Sequence, residues 1–265
     1  MSDFSKDCVV KQQDLSDVKI PQLKDSPAKP AQRPPRRLFS ALLLAVAVAC
    51  AGAMPAGGKK PRWINPCHLP GHPFDPNTDM TEAPPLRLSE LYEGVKERAR
   101  VAKEHAEHLR QYFKDDFKDF VDGTALYRQK WLPSIPPATE DEFRNVEGRE
   151  AFLKSFEFLQ FFAVGIEQIL LDQTIHDGQF LRPFAELEDN LTQVLCELQL
   201  GLFTLRVPPS PDVLRDVMSQ DYRDLSGRSY RNLRDYLILR DYVYAMHYVS
   251  ALFAYLERTL DARAK

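Results

Sequence analysis

The chain has 265 residues, and its 35 basic and 38 acidic side chains leave a net charge of −3, which excludes a globally basic nucleic-acid binder. Twenty prolines outnumber eleven glycines; they gather between helical segments, so they punctuate the chain rather than break its helices. No sequence period marks an internal repeat.

Residues 1–37 are polar and proline-rich and end in Pro34-Pro35-Arg36-Arg37. Leu38 to Ala49 then forms a short apolar core, followed by small residues to Ala53. A basic flank, an apolar core and A-x-A endings at Ala49–Ala51 and Ala51–Ala53 read as a secretory signal. A membrane span needs about 20 apolar residues, and this run is shorter. The expectation is a removed leader over 1–53; the alternative is an uncleaved type II anchor. Export carries Cys67 and Cys196 into an oxidising compartment, while Cys8 and Cys50 leave with the leader. It also makes the sequon Asn190-Leu191-Thr192 a glycosylation site.

Residues 54–85 read as a linker, with Trp63, Ile64 and Cys67 its anchoring residues. The helical domain is expected over 86–263. Leu88, Leu91, Val95, Ala99, Ala102, Ala106, Leu109, Phe113, Phe117 and Phe120 step by three or four, predicting a first helix over 86–122 that stops at Gly123. Residues 124–146 form a long connection, in which Thr139-Glu140-Asp141-Glu142 reads as a capping box for a short extra helix. A second helix over 147–174 carries Phe152, Phe156, Leu159, Phe162, Ile166, Ile169 and Leu170. After the tight turn His176-Asp177-Gly178-Gln179, a third helix over 180–205 presents Phe184, Leu187, Leu191, Val194, Leu198, Leu202 and Leu205. Pro183 sits acceptably in its first turn. A second long loop covers 206–228. The fourth helix, over 230–260, has the apolar stripe Leu239, Tyr242, Met246, Val249, Phe253, Leu256 and Leu260, widened by Tyr236 and Val243.

Connection lengths decide the topology. Helices of this size are about 40–50 Å long, and the connection around Gly178 spans only about 20–25 Å. Helices two and three are therefore antiparallel. The other two connections reach about 75 Å each, enough to run the length of a helix. The prediction is all-α: a long-chain four-helix bundle wired up-up-down-down with two long crossover loops, the connectivity of growth hormone and cytokine bundles.

At about 100° per residue, Cys196 points away from the core stripe of its helix, together with Leu200 and Phe203. The linker is expected to fold back there, bonding Cys67 to Cys196 and laying Trp63 and Ile64 over Leu200 and Phe203. The alternative is two free thiols and an outward apolar face that meets a receptor.

Four stretches resemble interleukin-6-class helical cytokines of the leukaemia inhibitory factor, oncostatin M and ciliary neurotrophic factor group. Asn190 to Cys196, with Pro66-Cys67-His68, is similar to the third helix of leukaemia inhibitory factor and the N-terminal cysteine with which it pairs. Leu239-Arg240-Asp241-Tyr242, with Met246 to Val249 and Phe253, resembles the fourth helix of oncostatin M. Leu170 to Phe180 resembles the turn between the second and third helices of ciliary neurotrophic factor. The resemblance spans about residues 66–260. It implies a secreted monomer without cofactor, crosslinking receptor ectodomains of the glycoprotein-130 or leukaemia inhibitory factor receptor type and activating JAK–STAT signalling. The family's F-x-x-K receptor contact falls here on Ser229 and Asn232, with Tyr230 and Arg231 between them as substitutes. A second contact is expected on the outward faces of helices one and three, at Glu93, Glu97, Arg100, Glu104 and Gln193.

His105 and His108 share a helix face but bring no third metal ligand, so no metal is expected. No nucleophile elbow, P-loop or dinucleotide fingerprint appears, and enzymatic activity is not expected. Two other functions fit a helical bundle: a secreted carrier of an apolar ligand, and a membrane-tethered or intracellular scaffold.

Overall fold

The computed structural model describes residues 60–69, 86–117, 124 and 127–263. The leader over 1–53, Phe120 and Gly123 lie outside the described residues.

Among the described residues six α-helices follow in chain order: α1 (Leu88–Asp116), α2 (Glu140–Phe143), α3 (Gly148–Ile175), α4 (Leu181–Thr204), α5 (Gln220–Arg223) and α6 (Arg228–Arg263), with a 3-10 turn at Arg215–Val217 before α5. α1, α3, α4 and α6 are the four long helices and pack as a bundle. Glu90 accepts a hydrogen bond from the Arg87 N–H at 2.9 Å and places its charge at the positive end of α1. Thr139 Oγ1 accepts from the Glu142 N–H at 3.4 Å, but the expected box is only half formed, since the Thr139 N–H donates to the Pro137 carbonyl at 2.9 Å and not to Glu142.

The tight turn between α3 and α4 is built by the last residues of α3. Asp177 takes the left-handed conformation (φ 48°), and the Gly178 N–H donates to the Gln173 carbonyl at 2.7 Å, six residues closing one ring. The Gln173 side chain folds into the same turn, its Oε1 accepting from the Phe180 N–H at 3.1 Å. A Cβ at Gly178 would lie 1.9 Å from that oxygen, so only glycine leaves room for it.

Contacts along the helices give their directions. The start of α1 meets the end of α6, where Lys96 pairs with Glu257 at 2.8 Å. The end of α1 meets the start of α4, with the Phe113 and Phe180 rings 4.7 Å apart. The end of α3 meets the start of α6 through Asp172 and Arg234 at 2.6 Å. At the opposite end Phe152 of α3 packs against Phe253 of α6 at 4.9 Å and Tyr92 of α1 at 5.9 Å. α1 and α3 thus run together, and both oppose α4 and α6. The bundle is up-up-down-down, with α1 packed mainly against α6 and α4, and α3 against the same two.

The expected stripes form the core. Val95, Ala99, Ala102 and Ala106 of α1 are fully buried, as are Leu239, Tyr242, Met246, Val249 and Phe253 of α6. The alanine column shortens the distance at which two helices can pack, and α6 is α1's most extensive neighbour. Glycine does the same for α4: a Cβ at Gly201 would sit 2.1 Å from Cε1 and 2.4 Å from Cδ1 of the buried Phe152. That ring is wedged between Tyr92 and Phe253 and has nowhere to go. Gly201→Ala should therefore lower stability by about 1–3 kcal/mol through overpacking, although alanine normally favours a helix by about 1 kcal/mol. Urea unfolding with an unchanged m-value checks this; equal or greater stability would show that Phe152 can move.

Candidate functional site

A segment from Arg62 to Leu69 docks along the outside of α4. Asn65 and His68 adopt left-handed conformations (φ 59° and 53°), and Asn65 exchanges two hydrogen bonds with Leu69, both at 2.9 Å. This compact turn presents Cys67 to α4, and Cys67 and Cys196 form a disulfide with Cα atoms 4.7 Å apart. Gln199, one turn along α4, receives the Cys67 N–H on its Oε1 at 3.0 Å and donates from Nε2 to Asn65 Oδ1 at 2.9 Å. Arg62 adds ion pairs to Glu188 and Asp189 of α4.

Trp63 gains a partner that the sequence did not disclose. It is buried, donates its indole N–H to the Val213 carbonyl at 2.7 Å, and lies 5.7 Å beneath the Arg215 guanidinium. A buried indole needs an acceptor for its N–H, and the second crossover supplies one; Leu200 and Phe203 remain half-buried. Arg215 in turn pairs with Glu167 of α3. The segment therefore ties α4, the second crossover and α3 together.

The four candidate residues at the start of α6 share its first turn but differ in availability. Ser229 and Asn232 are half-buried. Arg231 turns back on the loop, donating from Nη1 to the Leu225 and Ser226 carbonyls at 2.9 and 3.0 Å. Tyr230 stands out, 38% exposed, with its ring over Gly227. One turn further on, Arg234 is fully buried and donates to Asp172, to Asp235 at 2.9 Å and to the Tyr222 carbonyl at 3.1 Å. This cluster joins the end of α3, α5 and the start of α6 beneath Tyr230. By the antiparallel register, the turn before Arg234 lies level with the end of α3, where Leu171 and Ile175 are exposed.

The second set of candidates divides in two. Glu97, Arg100 and Glu104 form a ladder along α1, with Arg100 bonded to Glu97 at 2.9 Å and to Glu104 at 2.7 Å; Glu93 is exposed in the same row. Gln193 does not join them. It accepts from Arg98 at 2.8 Å, and Arg98 lies roughly 120° around α1 from that row. Gln193 thus belongs to the seam between α1 and α4, where Arg98 also approaches Glu197 at 3.7 Å. In the same seam the Asn190 amide is 3.0 Å from His105 Nδ1, so the sequon asparagine sits half-buried in mid-helix.

The Arg234 cluster and a second buried arginine, Arg240, were not found from the sequence. Arg240 donates to the Thr124 and Tyr127 carbonyls at 2.7 and 2.8 Å and to Asp241 at 2.8 Å, fastening the first crossover to α6. Nothing in a periodicity pattern separates these arginines from solvated ones; the adjacent Arg-Asp pairs, 234–235 and 240–241, are the one visible hint. Among the described residues no group of three or more His, Cys, Asp or Glu is placed to hold a metal, and no helix is long and apolar enough to cross a membrane.

Neither protein-family models, nor curated proteins, nor solved structures yield a match to the chain.

Burial pushes the Asp235 carboxyl up from 3.8 to about 6, against the opposing pull of Arg234. Between these values the folded chain keeps a proton that the unfolded chain releases, so this group's contribution to stability falls as pH rises from about 4 to about 6. Relative to Asp235→Asn, which cannot titrate, the natural chain should gain stability as pH drops through that window. Denaturant melts of both at several pH values check the sign; a relative loss on acidification would mean that Asp235 stays ionised beside Arg234.

Proposed function

We propose that the chain is a secreted helical cytokine that holds two receptor ectodomains of the glycoprotein-130 type together and so starts JAK–STAT signalling. The observation that carries this reading is the up-up-down-down bundle with two long crossovers, a connectivity otherwise costly to build and used by growth hormone and cytokine bundles. The Cys67–Cys196 disulfide fits an oxidising, extracellular destination. The interior is occupied by contacting rings, among them Tyr92, Phe152 and Phe253 at 4.9–5.9 Å, which favours a ligand displayed on outer surfaces over a carrier with an apolar chamber.

One receptor face is centred on Tyr230. An exposed tyrosine on a rigid first turn, with Leu171 and Ile175 near the same end of the bundle, has the composition of a binding hot spot. Arg231 acts as a positioning residue, holding the loop before α6 so that Tyr230 points outward. The second face is the Glu93–Glu104 row of α1, whose charges suit steering and partner choice. Gln193 contributes across the seam through Arg98.

Tyr230→Ala should weaken one receptor ectodomain by about 2 kcal/mol or more, roughly thirtyfold, and reduce STAT phosphorylation while leaving the melting temperature unchanged. The checks are surface plasmon resonance against a panel of such ectodomains and a cell reporter. Undiminished binding and signalling would remove the start of α6 from the receptor interface. Failure of the natural chain to bind any ectodomain of this class would overturn the reading itself.

A further inference from the structure

The chain's one N-x-S/T sequon, Asn190-Leu191-Thr192, lies in the middle of α4 and not in the surface loop where such acceptors normally stand. Successive helical residues are turned by about 100°, so Asn190 and Thr192 leave the helix about 200° apart, on opposite sides. No enzyme can read both side chains from one direction while the helix is formed. Thr192 spends its hydroxyl on its own helix, donating to the Glu188 carbonyl at 2.8 Å. Asn190 is directed at α1: its Nδ2, the atom to which a glycan would be joined, stands 3.0 Å from His105 Nδ1. The amide donates there when the imidazole carries its proton on Nε2, and Glu186, 3.5 Å from that Nε2, favours this tautomer.

The seam is occupied on both sides of this contact. Glu186 and His105 fill it towards the start of α4, and one turn beyond Asn190 the Gln193 side chain accepts from Arg98 at 2.8 Å. Leu187, Leu191 and Val194, the neighbours of Asn190 on the helix, are buried in the core. α4 therefore cannot roll to carry Asn190 outward without lifting its apolar stripe. A sugar ring is wider than the 3.0 Å between the amide and His105.

We propose that Asn190 is a conformation-gated glycosylation site: the open chain accepts a glycan there, the folded chain does not, and a chain that has taken one cannot close α1 onto α4. The opportunity exists because α6, the most extensive neighbour of α1, is synthesised after the sequon. In the step itself Nδ2 bonds to the anomeric carbon of an oligosaccharide carried on a lipid diphosphate. The anomeric C–O bond breaks, the diphosphate leaves with the electron pair, and Nδ2 gives up one of its two protons. The glycan thus marks chains that were modified before they folded, and the exported protein carries none at Asn190. The inference rests on the secreted reading given above, since donor and enzyme belong to the export route.

The test is expression of the full chain in cultured animal cells, with medium and lysate compared by peptide N-glycosidase mobility shift and peptide mass. Natural chain in the medium should show no shift. Sugar-bearing chain should be confined to the lysate and be cut by trypsin sooner than unmodified chain. A reductant present during synthesis, which withholds the Cys67–Cys196 bond and prolongs the open state, should raise the sugar-bearing fraction in the lysate. Thr192→Ala removes the acceptor while leaving Asn190 in place, so the lysate band should vanish and export should be undiminished. His105→Ala opens the far side of the contact, so sugar-bearing chain should now reach the medium; Thr192→Ala keeps the test decisive if that variant does not fold. Glycan at Asn190 on natural chain in the medium would overturn the proposal, as would its absence from the lysate even under reductant. Exported, sugar-bearing chain that still activates STAT overturns this inference alone, whereas absence of both the natural chain and Thr192→Ala from the medium overturns the secreted reading beneath it.

Discussion

Two crossovers have to travel the length of a bundle, and each must be held down at a cost in chain entropy. The fold depends on how that is done. The first crossover is fastened by Arg240, whose guanidinium takes up the carbonyls of Thr124 and Tyr127. Trp131 of the same crossover packs where Gly165 leaves space on α3: an added Cβ there would lie 3.0 Å from its ring and 3.1 Å from Ile238 of α6. The second crossover is fastened by Trp63, which arrives from the other end of the sequence and is itself anchored by the disulfide and Gln199. Buried donors aimed at loop carbonyls do what a hydrophobic contact alone does poorly: they fix a position along the helix as well as a distance from it.

The same devices explain why α6 departs from a simple amphipathic helix. From Leu233 to Val243 it is buried almost all round, because α1, α3 and the first crossover cover it from different sides. Its charged residues there, Arg234, Asp235, Arg240 and Asp241, are paired, whereas the buried Tyr242 hydroxyl has no hydrogen-bond partner among the described residues. Beyond that stretch Tyr244 and His247 return to the surface. A segment buried this way is a rigid base, and the turn carrying Tyr230 is set directly on it. Stiffness near a protruding aromatic side chain lowers the ordering cost of binding, which links the internal arginines to the surface proposed to meet receptors.

Much of the bundle was legible in the residues. The stripes of α3 and α4 follow a helical period closely enough to give extents within a residue or two, whereas α1 ends at Asp116, short of the predicted 122, and the contrast between one short and two long connections gave the topology before any contact was known. The Cys67–Cys196 pairing was legible because Cys196 lies off its helix's core stripe. Arg234, Asp235 and Arg240 were not, since a periodic pattern assigns charged residues to the outside and their partners are backbone carbonyls or residues distant in sequence. The acceptor of the Trp63 indole was not legible for the same reason: the Val213 carbonyl has no side-chain signature. Within the candidate surfaces, the Glu97–Arg100–Glu104 ladder follows from helix spacing alone, whereas the pairing of Gln193 with Arg98 depends on how α4 is rotated against α1, which no single helix records.

Everything assigned to the surfaces presupposes that α1 and α3 run in the same direction. Pulsed electron–electron distance measurements on spin labels attached at exposed positions test this most directly, with the native disulfide intact. Labels at Glu93 and Arg149, near the starts of α1 and α3, should lie at the same end of the bundle. Moving the second label to Thr174, at the far end of α3, should lengthen the distance towards the roughly 40 Å that 25 helical residues span. The reverse order, with Glu93 nearer to Thr174 than to Arg149, would contradict the parallel pair and with it the cytokine reading.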